Sequence, residues 1–164
     1  LKESNMSTLT EKSREHVHAA RAAKRAQAVA LGVDERFVSL MVERFYANVR
    51  EDELLAPIFA ERISDWPQHL ERMKAFWRSI LFNSGEFSGN PMAKHMAIAG
   101  LEQSHFVRWL ELFYATLDAL GPQPKGVALV AERARSIADS LLTGISIRRE
   151  GLSGSTAGKD LPHV

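Results

Sequence analysis

Four residues in this chain have side chains suited to chemistry and positions that ask for an explanation: Tyr46, His69, His95 and Trp109. His69 begins an apolar face that continues through Met73, Phe76/Trp77 and Ile80 at three- and four-residue steps, the spacing of one side of a helix. His95 stands in a short segment between glycines, flanked by Met92, Met96 and Ile98. One imidazole among apolar neighbours is more often a satisfied core histidine than a ligand. A pair is more informative, because helices on opposite sides of a cofactor can each present an imidazole to a central metal. Tyr46 and Trp109 each carry a polar hydrogen that needs a partner when buried. If both face one cavity, a small bound acceptor such as a diatomic gas satisfies them. The plain alternative is that these rings, with Phe45, Phe59 and Trp77, are ordinary core.

The elements that must position these residues are helices. Asp34 is a fitting N-cap before Phe37, Leu40, Met41, Phe45 and Val49, which recur on one helical face. A loop is expected through Leu55-Ala56-Pro57-Ile58-Phe59. Ser64 or Asp65 then caps a second long helix with Pro67 in its first turn and an apolar face of Leu70, Met73, Phe76, Trp77, Ile80 and Leu81. Gly85 and Gly89 break the chain, and Asn90-Pro91 opens a short helix that holds His95 and closes at Gly100. A third long helix carries Phe106, Trp109, Leu110, Phe113 and Leu117 up to Gly121-Pro122. The last carries Val127, Val130, Ala134, Ile137, Ala138 and Leu141. No run alternates as a strand does, so the class is all-α.

Before these helices, residues 1–33 read as an N-terminal extension, partly helical and rich in Ala, Arg and Lys, with little large apolar surface. Residues 34–147 form the main domain, and 148–164, rich in Gly and Ser, read as a flexible C-terminal tail. Leu1 is not an initiator, and Met6 is one place where a natural chain could begin. With 21 Lys plus Arg against 20 Asp plus Glu, the charge balance gives no reason to expect a nucleic-acid partner. The absence of cysteine excludes a disulfide framework, a thiolate metal site and a catalytic thiol, and suits a cytoplasmic location. No apolar run reaches membrane-spanning length. Ser153 to Asp160 lacks the first glycine and final hydroxyl of a phosphate loop, and His16 and His18 face different sides of a helix.

From Phe45 to Phe113 the chain resembles the group III truncated haemoglobins. The resemblance rests on Phe45-Tyr46, Leu55-Ala56-Pro57-Ile58-Phe59 and Trp66-Pro67-Gln68-His69. It continues through Phe76-Trp77, Gly85 to Gly89, Asn90-Pro91-Met92-Ala93-Lys94-His95, and His105-Phe106 with Trp109. Each piece is weak alone, but their order and spacing are specific. The resemblance implies a truncated globin fold, a two-on-two helical sandwich around haem b (iron protoporphyrin IX), preceded here by the helical extension. It implies that His95 is the proximal iron ligand, that Tyr46 and Trp109 donate to the bound gas, and that His69 is the distal histidine or swings out to gate access. Met73 is then distal wall and Phe59 the ring packed against haem, with Phe76, Trp77 and Phe106 as further walls. Lys94, His105 and Arg108 are the candidate propionate partners.

The gas ligands implied are O2, NO and CO. Two donors facing partly charged O2 imply slow release and poor discrimination in favour of CO, which suits O2/NO or redox chemistry better than transport or storage. NO dioxygenation, with electrons from an external reductase, and a weaker peroxidase-like activity are the enzymatic options. A haem-based redox or gas sensor docking a partner is the alternative. A cofactor-free helical interaction protein is a more distant one, since it leaves the ordered matches unexplained.

Overall fold

The computed structural model describes residues 2–164, with side chains from residue 6 onward, so Leu1 lies outside it. Seven α-helices run in the order α1 (Lys2–Ala30), α2 (Glu35–Glu51), α3 (Ala56–Arg62), α4 (Trp66–Phe82), α5 (Pro91–Met96), α6 (Gln103–Leu120) and α7 (Pro124–Glu150). No strand occurs among the described residues, and no helix there is long and apolar enough to cross a membrane. The helix starts follow from local chemistry. Asp34 accepts from Phe37 N at 2.8 Å, Asp65 from Gln68 N at 3.1 Å, and Asn90 from Ala93 N at 3.0 Å. Gly121, at φ 63°, ends α6 in the left-handed conformation that glycine adopts without cost.

Two helix pairs build the body. α2 packs on α4, α6 packs on α7, and α2 also packs on α6, which joins the pairs. Their shared core is Phe37, Met41, Phe45, Val49, Trp77, Leu81, Leu110, Phe113, Leu117 and Val130 among others. Lys74 of α4, only 8% exposed, bridges to Glu43 of α2 at 2.8 Å and to Glu71 at 3.0 Å, which ties the helix of Tyr46 to that of His69. Leu40, expected on the buried face of α2, is instead exposed, because the core stripe runs through Phe37, Val38, Met41 and Val42.

The stretch expected as a loop at Leu55 to Phe59 forms most of α3, a short helix with proline in its first turn. α1 is a continuous helix, solvent-exposed from Met6 to Ala23. It touches α4 near its end, where Arg25 lies 5.4 Å over the Phe82 ring and pairs with Glu35 at 2.8 Å.

The segment expected to be a flexible tail is packed instead. α7 continues to Glu150, a 3-10 turn (Gly151–Gly154) follows, and Leu161 is 2% exposed. The polar composition concealed this, because the attachments are backbone acceptors and closely approaching glycines. Tyr114 donates its hydroxyl to Pro162 O at 2.7 Å, and Arg135 donates to the carbonyls of Leu161 and Lys159. A Cβ at Gly154 would fall 2.5 Å from the carbonyl carbon of Ser146 in α7. Leu161→Ala should therefore cost about 2–5 kcal/mol, as for other buried leucines. Urea unfolding checks this, and a free tail would leave the midpoint unmoved.

Candidate functional site

The site residues gather where α2, α4 and α6 meet. Tyr46 comes from the last turns of α2, Trp66 and His69 from the first turns of α4, Phe59 from α3 and Trp109 from α6. The Tyr46 ring lies 5.0 Å from His69, 5.8 Å from Phe59 and 6.0 Å from Trp66, centroid to centroid. Trp66 stands 5.5 Å from His69 and stacks on Phe59 at 6.4 Å. Phe45 joins this cluster to Trp109, at 5.0 Å from Tyr46 and 5.3 Å from Trp109. The two donors inferred from sequence thus flank one phenylalanine.

Electrostatics set the protonation states. Burial pushes the Tyr46 hydroxyl well above its usual range, so it remains a donor at any ordinary pH. His69 is held below its ordinary value, first by burial and then by the positive charges of Arg72 and Lys94, so it is neutral at neutral pH. Its Nε2 is buried and has no hydrogen-bond partner among the described residues. An unpaired buried polar atom is costly, and native proteins keep few of them.

His95 is prepared differently. Its Nδ1 lies 2.6 Å from the carbonyl oxygen of Pro91, one turn back in α5. A carbonyl only accepts, so in the neutral ring Nδ1 carries the proton and Nε2 the lone pair. This is the tautomer that a metal-ligating histidine needs, with the backbone acceptor fixing the ring. Lys94, beside it, acts electrostatically on His69.

Comparison with known proteins bears on this arrangement directly. A family profile described as bacterial-like globin matches residues 29–141. Over 111 residues the chain is 32% identical to a group 3 truncated hemoglobin of Campylobacter jejuni, covering 65% of this chain and 86% of that protein. The chain belongs to the bacterial-like globins, in the group III truncated haemoglobins. Its fold is similar to the crystal structure of a group III truncated hemoglobin from Campylobacter jejuni, with a TM-score of 0.62 and 28% identity, over 66% of this chain and 87% of that one. A globin is a haem protein that binds a small gaseous ligand. The residues of this globin fit that group. One imidazole is fixed with a free lone pair, and another has a buried nitrogen lacking a partner.

The remaining expected residues of this globin take different places. Met73 and Phe76 are half-buried on α4. Trp77 is in the core, 3% exposed and stacked on Phe113 at 5.1 Å, and Phe106 is 7% exposed. Of the three candidate propionate partners, Arg108 is engaged with Asp52 at 2.7 Å and Glu111 at 3.2 Å. His105 accepts from Glu102 N at 3.0 Å as part of the start of α6, whereas Lys94 is exposed.

Sequence reasoning assigned no role to Trp66, Arg72, Phe87 or Asp52. Trp66 precedes His69 by three residues, a helical spacing that could have revealed it. Phe87 lies 5.1 Å from Phe76 and is held over α4 by its N–H donating to Ser79 Oγ at 3.0 Å, a contact without a local signal.

Asp52 couples α2 to α6. Its carboxylate accepts from Leu54 N at 3.2 Å, Leu55 N at 3.0 Å and Arg108 Nε at 2.7 Å. Arg108 precedes Trp109, and Asp52 follows the helix of Tyr46. Burial raises the pKa of Asp52, but the Arg108 hydrogen bond and charge with the two N–H bonds outweigh it, and the net direction is below 3.8. A carboxylate lowered in the folded state contributes stability that is full above 3.8 and is lost as pH falls through the folded value. Asp52→Ala should cost about 1–3 kcal/mol at neutral pH. Between about pH 5 and pH 2, Asp52→Asn should lose less stability than wild type. Unfolding midpoints falling in parallel for both proteins would contradict this.

Proposed function

We propose that this globin holds haem b through His95 Nε2 and binds O2 on the side of Tyr46, Trp109 and His69. Bound haem supplies reversible capture of a diatomic gas and one-electron chemistry. The chain's residues supply the rest. His95 is oriented by its bond to Pro91 O, and Phe59, Met73 and Phe76 wall the pocket, with Trp77 and Phe106 packed behind them. Arg72 and Lys94, whose charges already reach His69, stand ready for the propionates, while Arg108 and His105 are otherwise engaged.

The observation that carries this reading is the buried, unpartnered Nε2 of His69 beside the Tyr46 ring. The Tyr46 hydroxyl lies among apolar rings, with the Trp109 ring beyond Phe45, and an acceptor with partial negative charge gains most from donors in such surroundings. NO and CO fit the same space but attract the donors less. The arrangement suits holding and reacting O2 rather than delivering it.

The reaction that uses held O2 most simply is with NO. NO plus O2 plus one electron gives nitrate, so each turn consumes an electron. The chain carries no flavin or nicotinamide fingerprint, and an outside reductase supplies it. Mixing O2-loaded protein with NO in a stopped-flow instrument tests this. One nitrate per haem is expected, with repeated turnover only when a reductant is added. O2-loaded protein that yields no nitrate would overturn the dioxygenase reading.

A further inference from the structure

α5 has only six residues, Pro91–Met96, and none of them is fully buried. A helix this short does not set its own orientation; whatever seats it does. It packs on α7. There Met92 and Met96, which flank His95, lie over Gly144. A Cβ at Gly144 would fall 2.6 Å from Met92 Sδ, 2.7 Å from its Cε and 3.6 Å from Met96 Cε. The next turn of α7 adds two fastenings. Arg148 Nη1 lies 3.6 Å from Met96 Sδ, and Arg149 donates to the carbonyl of Leu101, just beyond α5.

Gly144 sits inside a 27-residue helix and is not among the glycines with positive φ. The backbone there does not require glycine, and glycine is a poor helix former. What it provides is room.

We propose that Gly144 is a positioning residue for the axial histidine, the missing side chain forming the socket for Met92 that sets the height and tilt of α5. This rests on the reading of His95 as the iron ligand. A methyl group in the socket forces the end of Met92 outward and moves α5, and with it the imidazole, relative to α7.

The test uses the full chain loaded with haem as wild type, Gly144→Ala, Met92→Ala and the double variant. The iron–histidine stretching band of the ferrous, ligand-free protein is recorded by resonance Raman, and haem loss to an acceptor globin is timed. Gly144→Ala is expected to shift the band and to speed haem loss about tenfold, the lower end of what displaced supports of metal ligands cost. Adding Met92→Ala to Gly144→Ala should move both readings back toward those of Met92→Ala alone. If Gly144→Ala holds no haem, restoration of haem binding by Met92→Ala supports the socket and failure to restore it overturns the socket. An unmoved band with greater thermal stability, the result of helix propensity alone, overturns it too. A wild type with five-coordinate ferrous haem but no iron–histidine band would overturn the reading of His95 itself, and the socket with it.

Discussion

Tyr46→Phe is expected to lose O2 about ten- to a hundredfold faster than wild type, and Trp109→Phe by a similar factor. Hydrogen bonds to charged acceptors contribute about 1.5–3 kcal/mol each, and about 1.4 kcal/mol is a factor of ten in rate. The double variant should therefore release O2 a few hundred- to ten-thousand-fold faster, less any coupling through Phe45, which touches both rings. The comparison is clean on the folding side. Burial raises the Tyr46 pKa and keeps the hydroxyl protonated, so the substitution removes a neutral donor and no charge. CO dissociation should change much less, because CO carries little charge on its outer atom. Flash photolysis and stopped-flow measurements of both gases check these values. Single variants that release O2 no faster than wild type would remove both donors from the account.

Much of the fold was legible because four long helices carry their own periodicity and caps. Asp34, Asp65 and Asn90 cap where the pattern placed them, and the stripe from His69 to Ile80 faces inward. The departures come from non-local packing. α3 replaced an expected loop once Asp52 and proline could start a turn, and the tail became a packed segment through Leu161 and the hydroxyl of Tyr114. Polar composition reports solvent preference and does not reveal a carbonyl that meets Arg135.

The site follows the same division. Tyr46, His69, His95 and Trp109 stood out because polar groups on apolar faces demand explanation. Trp66 was readable at three residues from His69. Phe87, Arg72 and Gly144 were not, because each matters only for what another element brings against it. Trp77 and Phe76 are adjacent in sequence, yet one is stacked on Phe113 in the core and the other is half-buried against Phe87. Adjacent residues on a helix point about 100° apart, and sequence alone did not say which of them faces the pocket.

His95→Ala is expected to have the largest effect of any single change. No other imidazole lies on α5, and the nearest downstream histidine, His105, is bonded at the start of α6. With His95 as the proposed iron ligand, its loss removes that nitrogen, and haem is expected either to dissociate or to rely on the orphaned Nε2 of His69. Outer supports of a metal ligand cost about 10–100-fold in affinity, and the ligand itself should cost more.

The most direct measurement is the visible absorption spectrum of the protein with one equivalent of haem, ferric and then dithionite-reduced, for wild type and His95→Ala. A stoichiometric Soret band in wild type, with a ferrous spectrum that changes or disappears in His95→Ala, is the predicted result. The wild-type ferrous bands also separate five-coordinate iron from iron closed off by His69. A wild type that takes up no stoichiometric haem, or a ferrous spectrum identical in His95→Ala, would contradict the account.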